Sequence, residues 1–251
     1  LYLAQGSRHS KTNADKSPYH LLVLARNNIG YRNLKQLSTL AHLEGFYYKP
    51  RVDKESLAQY KDGLIVLSGC PNGEIPRLIL EGKLEEAQQV VEWYQRTFGA
   101  ENFYLEIQRH DNLPELDVIN PVLVDMARTL DVPLVATNDS HYLVQEEARL
   151  QDILICIQTN TNVHDEKRLK MSDDSLYLKS SEEMEELFKD LPEALENTRR
   201  IADRCHVEMD FSTLHLPEYI CPDGSDADQY LAGLCQDGAR QRFGTELPEE
   251  V

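Results

Sequence analysis

Residues 133–143 read PLVATNDSHYL. Pro133 opens a short apolar run, Leu134 to Ala136, which predicts a buried strand. The run stops at Asn138, Asp139, Ser140 and His141, where a carboxylate and an imidazole stand two residues apart. As i and i+2 on an extended segment, Asp139 and His141 are expected to face the same side. A core strand that ends by presenting Asp and His decides the fold class. In α/β proteins the C-terminal ends of the strands are where polar side chains gather into a site.

Outward from that stretch the same texture repeats. YHLLVLA (19–25), GLIVLSG (63–69) and NFYLEIQ (102–108) are short runs rich in apolar, β-branched or aromatic residues, bounded by Gly, Pro, Asn or Asp. Helical segments lie between them. GYRNLKQLSTLAHLEG (30–45) carries Leu34, Leu37 and Ala41 at helical spacing and closes on Gly45. KLEEAQQVVEWYQRTFG (83–99) closes on Gly99, and DVINPVLVDMARTLD (117–131) runs into Val132-Pro133. Strands separated by helices predict βα units and a parallel sheet, either open or closed into a barrel. The four strands are therefore expected to be parallel neighbours.

After about residue 145 the pattern changes. QEEARLQDILICIQT (145–159) reads as a helix and residues 159–180 as a polar loop. Residues 180–205 read as two helices: Ser180 with Glu183 fits a capping box, and Asp190 before Pro192 fits a cap with proline in the first turn. HLPEYICPDGSDADQ (215–229) is a connector rich in Pro, Gly and Asp, and YLAGLCQDGARQRFG (230–244) begins a further helix. A first domain over 1–207 is expected, followed over 208–251 by the connector and the first helix of another region. The start at Leu1 and the polar end TELPEEV lead us to expect part of a longer chain.

Composition narrows the function classes. Of 251 residues, 41% are hydrophobic and 27% charged, ordinary for a globular protein, and the formal charge is −17. Such a surface repels a phosphate backbone unless basic residues cluster or bound metals invert the local field. No apolar run approaches the ~18–20 residues of a membrane span, and no signal peptide is visible. Five cysteines without CxxC spacing argue against a disulfide framework or a cysteine zinc site and fit a reducing, cytoplasmic setting.

Candidate chemistry lies at strand ends. His20 interrupts YHLLVLA, Cys70 terminates LIVLSGC, Glu106 lies inside YLEIQ with His110 after it, and Asp139 and His141 follow PLVAT. Imidazole, carboxylate and thiolate are ligands for zinc, iron or manganese, and a mixed set suits a hydrolytic metal site. Each also has a plainer reading. His20 can be a satisfied core histidine, Glu106 the partner of an arginine, and Asp139 a cap for the helix near Gln145. Cys70, in Ser68-Gly69-Cys70, can be a buried small residue or a cysteine nucleophile. Placement on four successive strands weighs against the plain readings taken together. No GxSxG, GxxxxGK[ST], HExxH or GxGxxG motif is present.

YHLLVLARNNIGYRNL, EGFYYKPRVD, LIVLSGCPNGEI, PLVATNDSHYL, DILICIQT, LPEALENTRRIADRC and LPEY before an acidic connector together resemble the alpha subunits of bacterial DNA polymerase III, the family C replicative polymerases. The resemblance runs in continuous order from Leu1 to Gly244 and covers their N-terminal PHP (polymerase and histidinol phosphatase) domain. It implies an α/β fold, a distorted (β/α)7 barrel lacking its N-terminal portion, followed by a helical segment that leads into the polymerase thumb and palm. It implies up to three divalent ions (zinc, manganese or iron) with His20, Cys70, Asp139 and His141 as ligands and Glu106 and His110 near the site. The family's HxH motif and the ligands that follow it are not in this sequence, so the set is expected to be incomplete. Magnesium belongs to a polymerase site outside this sequence.

The resemblance implies a DNA-directed DNA polymerase as the whole subunit, with DNA, a proofreading exonuclease and a sliding clamp as partners and no membrane. For the PHP domain it offers two roles: a phosphoesterase acting as a 3′–5′ exonuclease, or a scaffold bracing the polymerase and a proofreading partner. A free-standing histidinol-phosphatase-like enzyme is a third reading, disfavoured by the helical tail and connector. On its own this stretch is expected to lack polymerase activity.

Overall fold

The computed structural model describes residues 1–171, 174–214 and 216–244. His215, first residue of the connector, and the TELPEEV end lie outside the described residues, as do Ser172 and Asp173 of the polar loop. The chain divides into two compact units, Leu1–Glu208 and Met209–Val251.

In the first unit the strands are β1 Tyr2–Leu3, β2 Tyr19–His20, β3 Leu22–Ala25, β4 Arg51–Val52, β5 Leu64–Leu67, β6 Phe103–Ile107 and β7 Leu134–Ala136. The helices are α1 Asn28–Leu43, α2 Lys54–Gln59, α3 Glu74–Leu80, α4 Leu84–Phe98, α5 Glu115–Leu130, α6 Ala148–Thr159, α7 Ser181–Leu187 and α8 Pro192–Arg204. The second unit carries α9, Ala227–Phe243. Four strands form one sheet in the order β3-β5-β6-β7, and β2-β1-β4 form another.

The four apolar runs are thus neighbours, as their pattern predicts, but they are not all parallel. β5, β6 and β7 run parallel, whereas β3 is antiparallel to β5, with Leu22 opposite Leu67. The reason is topological. Between β3 and β5 the chain makes two passes rather than one crossover: α1 leads to β4 in the other sheet, parallel to β1, and α2 leads back. The run 19–25 is also split, Tyr19–His20 pairing with β1 and Leu22–Ala25 with β5. His20 therefore sits where the chain passes from one sheet to the other.

Alternation along the strands divides the core. Leu64, Val66, Phe103, Leu105 and Ile107 pack with helical residues including Leu37, Val91, Tyr94 and Leu123. Ile65, Leu67, Tyr104 and Val135 point the other way, against Ile201 of α8. Burial on both faces is what parallel strands require, and it explains their unbroken apolar runs. The Tyr94 and Phe103 rings stack with centroids 4.9 Å apart, worth about 0.5–1.5 kcal/mol beyond the area they bury. A Cβ on Gly30 would stand 1.9 Å from the Gly63 carbonyl oxygen, so α1 approaches the start of β5 only because residue 30 is glycine.

Arg51 is a charged residue with no exposed surface. Arg51 donates to the carbonyls of Gly45, Arg8, Ser10 and Asp15, and its guanidinium lies 3.3 Å from the Asp15 carboxylate. It fastens the 5–17 loop to the body of the unit. The capping box of Ser180 and Glu183 forms as expected. Asp190 does not cap α8. Leu191 holds that position, and Asp190 instead makes a two-pronged ion pair with Arg109 at 2.6 and 2.8 Å, a geometry that suits the planar guanidinium better than a lone backbone N–H.

Candidate functional site

His20, Cys70, Glu106 and Asp139 line one cavity of about 350 Å3, together with Tyr2, Leu22, Gly69 and Gln108. Each arrives from the end of a strand. His20 closes β2, and its ring meets Tyr2 edge-on at 5.3 Å. Cys70 follows β5 after the turn at Gly69, whose φ of +84° favours glycine. Its Sγ lies 3.3 Å from His20 Nδ1. Glu106 shares the face of Tyr104 on β6, one residue before the strand ends. Asp139 lies three residues past β7.

Glu106 is buried, and three groups donate to its carboxylate. Thr137 Oγ1 (2.5 Å) and Gln108 Nε2 (3.0 Å) donate to Oε1, and the Gly69 N–H (3.1 Å) to Oε2. Burial pushes this carboxyl above the usual range, while the Thr137 and Gln108 bonds pull it back. Donors on both oxygens suit the ionised form. Glu106 thereby locks the ends of β5, β6 and β7 together. The Asp139 carboxylate, by contrast, makes no hydrogen bond among the described residues.

Burial and the nearby Arg77 guanidinium push the His20 imidazole below its ordinary value. Burial pushes the Cys70 thiol up, with the Asn72 backbone opposing and the Asp139 and Glu106 charges reinforcing it. At neutral pH the pair is therefore a thiol beside a neutral imidazole. A cysteine nucleophile needs the thiolate, so this environment works against that reading of Cys70.

The two remaining candidates lie elsewhere. His110 is bonded through Nδ1 to Ser175 Oγ at 2.6 Å. His141 is exposed, and its Nδ1 donates to the Asp139 carbonyl at 2.5 Å. The two-residue periodicity expected for Asp139 and His141 does not hold, because Asp139 takes a left-handed φ of +47° and the segment is not extended there. Nor does Asp139 cap the turn at Gln145; the Leu143 and Val144 N–H groups donate to Glu147. Thr137, Gln108 and Gly69 were invisible as site residues in the sequence. Their only signal is position, at or beside strand ends.

Imidazole, thiol and carboxylate around one cavity fit a divalent zinc, manganese or iron ion in kind. In number they fall short: among the described residues no three His, Cys, Asp or Glu side chains stand close enough together to hold an ion.

The first unit is a mixed α/β fold, and residues 1–110 match the PHP domain family. Along nearly its whole length the chain is moreover a homologue of the alpha subunits of bacterial DNA polymerase III. It is 46% identical to DNA polymerase III subunit alpha of Borreliella burgdorferi over 96% of this chain and 21% of that protein. It is 44% identical to that of Treponema pallidum (100% of this chain, 22% of that protein) and 38% to that of Thermus aquaticus (99% and 21%). The chain thus spans about a fifth of the length of the relatives it matches.

Proposed function

We propose that this chain is the PHP part of the alpha subunit of a bacterial replicative DNA polymerase, a cytoplasmic enzyme whose whole chain carries out DNA-templated DNA synthesis. Within it, the cavity bounded by His20, Cys70, Glu106 and Asp139 is read as a metal-dependent phosphoesterase site that acts on the 3′ end of DNA. The observation that supports this is the convergence of four polar side chains from strands far apart in sequence on one cavity. Asp139, whose carboxylate makes no hydrogen bond among the described residues, His20 and Cys70 are the groups offered to an ion. As placed they do not by themselves form a set that could hold one, so the reading requires ligands from outside this chain and His141 brought in by reorientation of the turn at Asp139. A divalent ion there would supply positive charge for a phosphodiester and lower the pKa of water. Glu106, its oxygens already engaged, would hold the walls in place. Magnesium would serve the polymerase site elsewhere in the subunit.

A formal charge of −17 leaves DNA binding to other parts of the subunit. A proofreading exonuclease and a sliding clamp are the expected protein partners. Among the described residues no helix is long and apolar enough to cross a membrane.

A scaffold role is the second reading, and one observation favours it. Leu150, Leu154 and Ile157 form an apolar stripe on α6 that is 58%, 58% and 71% exposed. Such a face suits contact with another protein surface.

Metal analysis of the intact subunit, with a 3′-labelled single-stranded oligonucleotide as substrate, tests the proposal. Metal retention with chelator-sensitive release of 3′ nucleotides is the expected result. A subunit that retains no zinc, manganese or iron and releases no nucleotide refutes the phosphoesterase reading.

A further inference from the structure

We propose that the 46–49 hairpin, with Tyr2 and Lys16, is a binding platform for the 3′-terminal nucleotides of single-stranded DNA beside the cavity: Tyr48 stacks a base, and Lys16 and Lys49 hold phosphates. The inference deepens the reading of the cavity as a site for a DNA 3′ end, and rests on it for the choice of strand end.

Among the described residues, Tyr48, Asp131, Asp139 and Asn160 take a left-handed backbone without being glycine. Asp and Asn tolerate it, because their short polar side chains bond locally. A bulky tyrosine does not, so Tyr48 at φ +60° is held against its preference. The restraint comes from its neighbours. The Tyr47 N–H donates to the Lys49 carbonyl at 3.1 Å, and the buried Arg51 guanidinium lies 5.4 Å from the centre of the Tyr47 ring. Tyr47 in turn meets Tyr48 edge to face at 4.9 Å. The Tyr48 ring is nevertheless 63% exposed, and Phe46, two residues before it, is exposed as well. Strain held so as to present an aromatic ring to solvent, where burial returns little, points to a ligand for that ring.

The charge around the hairpin is the reverse of the chain's. Residues 1–20 and 44–53 carry five Lys or Arg against three Asp or Glu, in a chain of net charge −17. All three carboxylates are engaged: Asp15 by Arg51, Asp53 and Glu44 by Arg8. Lys16 and Lys49 make no ion pair among the described residues. Each instead lies over a tyrosine ring, Lys16 Nζ 5.3 Å from the centre of Tyr48 and Lys49 Nζ 5.6 Å from that of Tyr2. Tyr2 lines the cavity with its ring against His20. Exposed rings beside cations free of carboxylates offer what a nucleotide needs, a π-face for the base and positive charge for the phosphate. The order along the hairpin sets the path: a strand whose last phosphodiester enters the cavity meets Lys49 first and stacks a base on Tyr48 one residue further out. Duplex DNA does not fit, because its bases stack on one another and offer no free face, and the acidic remainder of the chain repels its length.

Photocrosslinking of the intact subunit to a single-stranded oligonucleotide with 5-iodouracil near its 3′ end, followed by peptide mapping, tests the proposal. Chelator is present throughout, so the result does not depend on any ion in the cavity. A crosslink to the peptide holding Tyr47 and Tyr48 is expected. Its yield should fall at least ~5-fold in Tyr48→Gly and in the variant combining Lys16→Gln with Lys49→Gln, the scale of one lost base stack. It should survive in Tyr48→Phe, which keeps the ring. Glycine suits the left-handed backbone, so Tyr48→Gly guards against a loss caused by misfolding. Crosslinks to peptides elsewhere in the subunit should stay unchanged. No crosslink to residues 46–49 in the wild type overturns the proposal, and so does a yield indifferent to the two lysine changes. Release of a bound protein subunit by Tyr48→Gly, with the crosslink unchanged, overturns it in favour of a protein interface. Release of 3′ nucleotides in the metal-loaded assay without this crosslink removes the platform and leaves the phosphoesterase reading standing. The crosslink without such release supports the platform and removes that reading.

Discussion

Cys70 Sγ stands 3.3 Å from His20 Nδ1, although fifty residues separate them in the chain. Both residues line the cavity, and the contact joins the end of β2, in one sheet, to the turn after β5, in the other. Because burial raises the thiol and lowers the imidazole, the two meet as neutral partners at pH 7.

That pairing predicts the reactivity of the thiol. Cys70 should react with iodoacetamide more slowly at pH 7 than the exposed Cys235, and the difference should narrow as pH rises past the ordinary thiol range. Peptide-resolved mass spectrometry reads both rates in one sample. Equal rates at pH 7 would contradict the environment described for Cys70.

Replacing Arg51 should be among the most damaging single changes in the first unit. Arg51→Met removes the ion-pair partner of the Asp15 carboxylate and the guanidinium donor to four carbonyls, and breaking a buried pair from one side costs about 3–5 kcal/mol. Urea denaturation checks this. A loss below about 1 kcal/mol, the scale of an exposed ion pair, would show that the 5–17 loop is held by other means.

Acid should loosen the same region first. Hydroxyl bonds from Thr12 and Ser10, with Arg51 behind them, hold the Asp15 carboxyl below the usual carboxylate range. Burial pushes Asp53 up, but N–H groups of Arg8 and Ser56 and the Arg8 guanidinium outweigh it. Both folded-state values lie below the unfolded one, near ~3.9. Their stabilisation is therefore complete above that pH and is lost as pH falls from about 4 toward the depressed values. Melting temperature followed from pH 6 to pH 3 should fall more steeply for the wild type than for Asp15→Asn. Parallel curves would remove Asp15 from the account.

The stripe on α6 should be silent in the isolated chain. Ile157→Lys, at a residue 71% exposed, should change unfolding free energy by no more than about 0.5 kcal/mol. In the intact subunit the same change should lower stability or partner affinity at least ~10-fold if the stripe is a docking face. No effect in either setting would count against the scaffold reading.

The strands and most helices were legible in the sequence because apolar runs, Gly stops and the Ser180–Glu183 box are local signals. That His20, Cys70 and Asp139 stand at strand ends was legible for a related reason: a polar residue that ends or interrupts a buried run stands out, and the three line one cavity. What was hidden depends on the path of the chain. The antiparallel setting of β3 follows from a detour through β4, a strand of only two residues whose Arg51 is wholly buried. The Glu106 lock needs Thr137, Gln108 and Gly69 brought together from three strand ends, and ordinary polar residues carry no mark of that. His141 misled because period-two reasoning assumes extended backbone, and one left-handed residue at Asp139 breaks it.

The central claim is that the cavity at the strand ends is a working site to which Asp139 contributes. Asp139→Ala in the intact subunit, assayed for bound metal and melting temperature side by side, tests it most directly. The account predicts at least a ~10-fold loss of metal affinity with little change in stability, because the Asp139 carboxylate makes no hydrogen bond among the described residues. Unchanged metal content, with a loss of about 1 kcal/mol such as a broken cap would give, would contradict it.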